Sequence, residues 1–153
     1  AQRFPVLGAP MKHIGHLAIR NRGTNGGSLA HADPTAELPL MSVLLDAVIT
    51  AASARGERRI AAGEFFTGTL ATALEPHEMI TRVELPGLGE RRGWAFEEFA
   101  RRCGDYAIAA VGVVMGASGG RVAAPAIAIG GGGAGPMRAS GAERVLAGRV
   151  PDE

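Results

Sequence analysis

Residues 19–37 read IRNRGTNGGSLAHADPTAE, and this stretch sets the interpretation of the whole chain. It brings glycines, hydroxyl side chains and acids close together in sequence. Glycine lacks a Cβ, so each glycine allows a sharp turn or a close approach of the backbone to another group. Hydroxyls at Thr24 and Ser28 flank the pair Gly26–Gly27, so N–H and O–H donors can converge on an anion or a polar ring edge. The pattern also fits an ordinary turn, and by itself it does not separate the two interpretations.

Two prolines set the predicted helix boundaries after this stretch. Asp33 followed by Pro34 is a favourable pairing for the N-cap and the first position of a helix. Pro39 cannot lie in a helix interior without losing a hydrogen bond and clashing with the preceding turn. We therefore expect one helical turn near residues 34–37, followed by a second helix that begins at Pro39 and ends at about Leu45.

Elsewhere, alternating or apolar runs between turn residues predict β-strands and one further helix. We expect two hairpins, 48–53 with 58–61 and 106–117 with 121–129, and single strands at 79–85 and 93–99, the latter entered from a turn over 87–92. We also expect extended segments on both sides of a turn in 19–29, the tail of a helix and a connector in 1–16, and a helix over 140–148. Phe65 or Phe66 is expected to lie in the core.

A run of glycines at residues 130–135 has some likeness to a phosphate-binding loop. No Lys-Ser or Lys-Thr pair follows this run, and no helix is predicted to begin directly after it. We therefore expect a flexible turn or close backbone packing at this position.

Composition limits the classes of protein to which the chain can belong. Its 153 residues are 46% hydrophobic, which is enough for one globular domain with a core, or for parts of two. The formal net charge of +1 gives no electrostatic basis for binding nucleic acid. No apolar run reaches the roughly 18 residues of a membrane span, and the N-terminus has no signal-peptide pattern. We therefore expect a cytoplasmic protein that neither spans a membrane nor binds nucleic acid.

Metal-binding and nucleophilic sites are not predicted. The single cysteine, Cys103, excludes an internal disulfide and a cysteine-only metal cluster. His13 and His16 are close in sequence but have no third ligand nearby. The sequence also lacks a nucleophile–base pair of the hydrolase type, so we expect no catalytic residue of that kind.

Residues 19–37 resemble the second flavin-binding segment in the FAD-carrying medium subunit of the molybdenum hydroxylases. In that family the segment has the form I-R-N-x-G-T-x-G-G-x-x-x-x-A-D-P-x-x-E. Residues 99–107, FARRCGDYA, are similar to the family's F-A-R-R-x-G-D-(aromatic)-A string. The family's linking phrase L-E-P-x-E lies between the two strings as residues 74–78. The three strings occur in the family's order, and the resemblance covers nearly the whole chain.

The resemblance implies an α+β fold with a mostly antiparallel sheet. Residues 1–103 would be the second half of an FAD-binding PCMH-type domain, of the vanillyl-alcohol/xanthine-oxidase-like kind. Residues 104–153 would begin the CO dehydrogenase flavoprotein C-terminal domain. The family's first flavin-binding loop lies in a preceding subdomain that this sequence does not contain, so we expect a chain that is incomplete at both ends.

The implied function is electron transfer by an oxidoreductase subunit that carries FAD. In this family a large molybdopterin-containing subunit oxidises the substrate, and a small subunit with [2Fe–2S] clusters passes the electrons on. The FAD of the medium subunit receives them and hands them to an acceptor, which is NAD, quinone or oxygen. The expected catalytic role of this chain is therefore limited to holding the flavin.

The resemblance also implies which residues hold the cofactor. The expected cofactor-binding residues are Thr24, Asn25, Gly26, Gly27, Ser28, Asp33, Glu37, Ile80, Asp105 and Tyr106. The glycine segment would bring its backbone close to FAD, the two acids of the first string would bond hydroxyls or backbone near the ribityl chain and diphosphate, and Tyr106 would cover the flavin. Plainer interpretations remain open: Asp33 as a helix cap, Ile80 as a core residue, Asp105 as a turn cap and Tyr106 as a half-buried residue at a strand start.

Two other functions remain open at this stage. The chain could be a structural or assembly fragment that binds no flavin, because the first flavin loop is missing. It could also be a stand-alone flavin oxidoreductase of the same fold, such as the enolpyruvyl reductases of cell-wall synthesis. Those enzymes would be expected to lack the A-R-R-x-G-D-Y-A string.

Overall fold

The computed structural model describes residues 5–88 and 92–151, which form short helices and antiparallel sheets. The helices are α1 (Leu17–Arg20), α2 (Asn25–His31), α3 (Glu37–Leu44), α4 (Ala62–Phe65) and α5 (Ser140–Leu146), and 3₁₀ turns at Pro5–Leu7 and Pro10–Lys12 precede them. The strands are β1 (Val48–Ser53), β2 (Gly56–Ala61), β3 (Phe66–Gly68), β4 (Ala71–Thr72), β5 (Met79–Glu84), β6 (Arg92–Ala100), β7 (Ala107–Ser118), β8 (Arg121–Gly130) and β9 (Met137–Arg138).

The strands of the described residues form three antiparallel sheets. Their orders are β2-β1-β5, β3-β4 and β6-β7-β8-β9. Each pairing in these sheets is antiparallel, which confirms the expected α+β class with mostly antiparallel strands. No helix in this part of the chain is long and apolar enough to cross a membrane.

Helix α3 is the central element of the core. Six of its eight residues are buried, because it packs against the strands β7 and β8 and against neighbouring helices. The facing surface of the sheet includes several glycines and alanines. A methyl group on Gly112 would lie 2.7 Å from Leu44 Cδ2, and one on Gly130 would lie 2.9 Å from Leu40 Cδ1. The ends of two leucine side chains of the helix therefore occupy the space that an alanine methyl group would need at these positions.

The start of α3 differs from the prediction. The helix begins at Glu37 rather than at Pro39, which takes its third position. The first four N–H groups of a helix have no acceptor within the helix, so the missing N–H of proline costs no hydrogen bond there. The predicted helical turn over residues 34–37 is also wrong. Asp33 caps a tight turn, in which its Oδ1 accepts hydrogen bonds from the Thr35 N–H (2.8 Å) and O–H (2.7 Å).

The predicted extended segments in 19–29 are wrong, because α1 and α2 occupy this region. Thr24 has an extended backbone and is the N-cap of α2, where its Oγ accepts a hydrogen bond from the Gly27 N–H at 2.9 Å. Such a cap stabilises a helix by about 1 kcal/mol, which offsets much of the cost of two glycines in the first turn. The predicted helix tail in 1–16 is also wrong where the structure describes it, since only 3₁₀ turns form there.

Most predicted strands are confirmed. Both hairpins form, as do the strands beginning at Met79 and Arg92, and α5 occupies the predicted C-terminal helix. Phe65 is fully buried in the core, as one of the two predicted alternatives. The predicted turn over 87–92 includes residues 89–91, which lie outside the described residues.

The glycine run after β8 shows the close backbone packing that was one of its predicted explanations. Gly131 has a φ of +77°, and a methyl group there would lie 2.5 Å from the Ile108 carbonyl oxygen. Its N–H donates to the carbonyl oxygen of Pro34 at 2.9 Å. This glycine therefore joins the turn before α3 to the start of β7.

Arg138 on β9 connects several elements through charged groups. Its Nε donates to Glu143 Oε1 at 2.8 Å and its Nη1 to Asp46 Oδ1 at 2.6 Å. The same Glu143 oxygen accepts a hydrogen bond from the Ile127 N–H at 2.8 Å. One side chain thus links the end of α3 to β8, β9 and α5.

Glu78, the last residue of the L-E-P-x-E phrase, fixes that segment to the edge of the first sheet. Its carboxylate accepts two hydrogen bonds of 2.7 Å from Arg58 on β2 and one of 2.8 Å from the Glu75 N–H. The Arg58 guanidinium also donates to the Ala73 carbonyl oxygen. The phrase is therefore a structural clamp at the entry to β5.

The Gly112→Ala variant should be less stable than the wild type by about 1–3 kcal/mol, since the added methyl group would overpack the α3 contact. Urea unfolding followed by far-UV circular dichroism measures this difference. Gly93→Ala is the control in the same sheet, because a methyl group there would meet its nearest atom, the Met115 carbonyl oxygen, at 3.9 Å. Equal destabilisation of the two variants would contradict the proposed packing role.

The Glu78→Gln variant should lose a pH-dependent part of the stability. Hydrogen bonds from Arg58 lower the pKa of Glu78 from 4.5 to about 2. The stabilisation is therefore fully present above the ordinary carboxyl pKa, and it is lost as the pH falls through the folded-state pKa. Urea midpoints of wild type and variant should differ at neutral pH and converge toward about pH 2. Glu57→Gln, an exposed neighbour of Arg58, should leave the pH profile unchanged.

Candidate functional site

A cleft of about 260 Å³ lies between α1, the α2–α3 connection and the loop before β7. Five of the predicted site residues line it, namely Ser28, Asp33, Glu37, Asp105 and Tyr106. The two sequence strings, which are far apart in the chain, thus meet at one cleft. The other lining residues are Ile14, Gly15, Ile19, His31, Thr35, Ala36 and Gly104.

The other five predicted residues lie outside the cleft lining. Thr24, Asn25, Gly26 and Gly27 are at the N-terminal end of α2, and Ile80 is on β5. A methyl group on Gly26 would lie 3.7 Å from Ile80 Cβ, so the first turn of α2 rests on that strand. Ser28, which lines the cleft, directly follows Gly27 in α2, so this group adjoins the cleft through the helix. A role of both groups in holding one extended cofactor stays a prediction.

Tyr106 lines the cleft and is 76% exposed. This exposure exceeds that of the half-buried ring in the alternative interpretation. The loop before it turns at Gly104, with a φ of +86°, and packs on His16, whose Cε1 would lie 3.0 Å from a methyl group on that glycine. The loop is therefore held in place while the aromatic face stays free to pack against a flat ligand.

Two carboxyl groups of the first string also line the cleft. Asp33 Oδ1 is held by Thr35, as described for the turn before α3. Glu37 is half-buried, and burial is the largest cause that raises its pKa. The charges of Glu98 and Asp33 raise the pKa of Glu37 further, whereas its own backbone N–H and the charge of His13 lower it. The cleft thus offers carboxyl oxygens as hydrogen-bond acceptors, and the charge on Glu37 depends on whether its carboxyl group holds a proton.

Arg20 holds the connector that forms one wall of the cleft. Its Nη1 donates to the Ile14 carbonyl oxygen at 2.9 Å and to the Gly15 carbonyl oxygen at 3.0 Å. Sequence analysis missed this role, as it missed the lining residues of the connector. The arginine lies inside the first string, so the string itself was the available indication.

Both parts of the chain match known protein families. Residues 1–88 match the family described as FAD binding domain in molybdopterin dehydrogenase, and residues 94–153 match the CO dehydrogenase flavoprotein C-terminal domain. The nicotine 6-hydroxylase medium subunit of Paenarthrobacter nicotinovorans is 43% identical over 97% of this chain and 52% of that protein.

Solved structures show the same likeness. Quinoline 2-oxidoreductase from Pseudomonas putida 86 superposes with a TM-score of 0.92 at 41% identity, over 99% of this chain and 53% of that chain. The carbon monoxide dehydrogenase of Hydrogenophaga pseudoflava that lacks the Mo-pyranopterin moiety gives a TM-score of 0.95 at 36% identity, over 99% and 53% of the two chains. The resemblance inferred from the sequence strings is confirmed.

These matches cover nearly the whole of this chain but only part of each relative. This chain spans about half the length of the curated relatives that it matches. The two family matches divide the chain between residues 88 and 94, just before β6 and within it. The predicted division between residues 103 and 104 stays a prediction.

The Arg20→Met variant should loosen the connector wall, since two backbone carbonyl groups lose their donor. Each exposed hydrogen bond of this kind contributes about 0.5–1.5 kcal/mol, so we expect faster hydrogen exchange in the peptide over residues 12–18 with a small change in global stability. Arg22→Met, two positions along, is the control. Equal exchange in wild type and both variants would show that Arg20 does not hold the wall.

Proposed function

This chain belongs to the family of FAD-binding domains of molybdopterin dehydrogenases, and we propose that it holds FAD for electron transfer in a molybdenum-containing hydroxylase. When bound, FAD supplies the ability to accept electrons singly or in pairs and to release them to another acceptor. The observation that carries the proposal is the cleft that is lined both by the acids of the first string and by the tyrosine of the second.

The residues of the cleft fit part of such a cofactor. Its volume of about 260 Å³ is below the roughly 300–1,000 Å³ typical of sites for whole small molecules, so it suits one portion of a dinucleotide. We assign the exposed ring of Tyr106 to packing on the flavin and to excluding water from one face. Asp33 and Glu37 are assigned as acceptors for hydroxyl groups. Asp105 is assigned to the rim beside Tyr106.

The N-terminal turn of α2 is assigned to a further part of the cofactor. The first turn of the helix, with Thr24, Asn25, Gly26 and Gly27, is proposed to bring its backbone close to FAD. Ser28 at the cleft and Ile80 beneath the helix would complete the surface. Close approach is supported by the two glycines, because neither adds a side chain to this turn, and Gly27 is exposed.

Partner subunits belong to the same proposal. Relatives of this chain are called medium subunits or medium chains, among them those of nicotine 6-hydroxylase and carbon monoxide dehydrogenase. We propose that this chain works beside a large molybdopterin-containing subunit and a small [2Fe–2S] subunit. Electrons would arrive from the iron–sulfur side and leave to NAD, quinone or oxygen. No residue of the cleft is assigned to oxidation of the substrate.

Titration of the purified chain with FAD tests cofactor binding. We expect quenching of flavin fluorescence and a shift of the visible flavin absorption on binding. Tyr106→Ala should weaken binding by roughly 2- to 10-fold, the worth of an aromatic pair of about 0.5–1.5 kcal/mol, whereas Tyr106→Phe should keep most of the affinity. A chain that causes no change in the flavin spectra would refute the proposal and favour a flavin-free assembly module.

A further inference from the structure

A buried acid lies behind the cleft wall and has no role in the contacts proposed for FAD. Glu98 on β6 has a side chain that is 2% exposed, and its Oε1 lies 3.5 Å from His13 Nδ1. Its Oε2 is buried and has no hydrogen-bond partner among the described residues. His13 directly precedes Ile14 and Gly15, which form part of the cleft lining.

The surroundings of Glu98 do not favour an isolated negative charge. A buried carboxylate is stable when it is paired and fully hydrogen-bonded, and otherwise it takes up a proton. Among the described residues, the group paired with Glu98 is His13, which also packs edge-to-face on Phe96 at a centroid distance of 5.5 Å. A proton on the Glu98 carboxyl group is therefore favoured. Burial accordingly raises the pKa of Glu98, and the charge of His13 lowers it.

Glu37, which lines the cleft, links the His13–Glu98 pair to it. The 3₁₀ turn that ends next to His13 packs against α3, which begins at Glu37. The groups on other elements whose charges act on the pKa of Glu37 are Glu98 on β6, His13 on the connector and Asp33 in the turn before α3. Two of these are acids, so the charge on Glu37 depends on where the protons of its neighbours reside.

We propose that Glu37, His13 and Glu98 form one proton-holding cluster, and that a flavin entering the cleft draws a proton from solvent onto it. The second part rests on the proposed function. A ligand over Glu37 removes water from a carboxyl group that is already half-buried between acids, and the diphosphate of FAD adds negative charge. Both effects favour the protonated acid, while no bond other than that to the proton is made or broken.

The first test uses the chain without cofactor. Side-chain carboxyl resonances of ¹³C-labelled glutamate are followed through a pH titration. We expect Glu37 and Glu98 to titrate above ordinary glutamate, and Glu98→Gln to lower the midpoint of Glu37. Glu97→Gln is the matched control, since Glu97 is the exposed preceding residue on the same strand. An unchanged Glu37 midpoint in Glu98→Gln would overturn the cluster.

The second test measures protons taken up on binding. Calorimetric titration with FAD in buffers of different ionisation enthalpy gives the number of protons, which should be above zero and up to one near the Glu37 midpoint. The uptake should vanish in Glu37→Gln. FAD binding without proton uptake, or with equal uptake in the variant, would overturn the inference and leave the proposed function intact. Absence of any FAD binding would refute the proposed function and the linkage, while the cofactor-free titration still decides whether the cluster exists.

Discussion

The close contact between α3 and the glycine and alanine face of the β6–β9 sheet is the constraint on which the rest of the structure depends. Gly112 and Gly130 leave room for two leucines of the helix, so helix and sheet share one tightly packed layer. Interiors of this density transmit small displacements rather than absorb them. The helix carries Glu37 at its start, and β7 begins directly after Tyr106. The contact between α3 and the sheet therefore positions both walls of the cleft, although the two walls are distant in sequence.

Sequence patterns predicted the strands well because a period of two in hydrophobicity is a local property. The hairpins around Ser53 and Gly119 and the strand beginning at Met79 follow from alternation and turn residues alone. The glycine string was harder. Glycines at 26 and 27 predicted a turn between extended segments, but the hydroxyl of Thr24 captures the Gly27 N–H and starts a helix. Local capping outweighed composition there.

The cleft was predictable only in part, for a related reason. The two strings identified Asp33, Glu37 and Tyr106, which the fold brings together. Tertiary packing supplied what the strings lacked. Arg20 acts through carbonyl groups of a connector that has no recognisable pattern, and the pairing of His13 with Glu98 joins residues from opposite parts of the chain. Such contacts leave no periodic trace in the sequence.

The contacts of Arg138 affect where the chain can be cut for expression of its parts. This arginine lies in the segment that matches one family, and its partner Asp46 lies in the segment that matches the other. Cutting the gene at the junction of the matches would strip a partly buried guanidinium of a counter-charge and expose the apolar side of α3 to water. The two matched regions share one hydrophobic core, so an expression boundary between them would expose it.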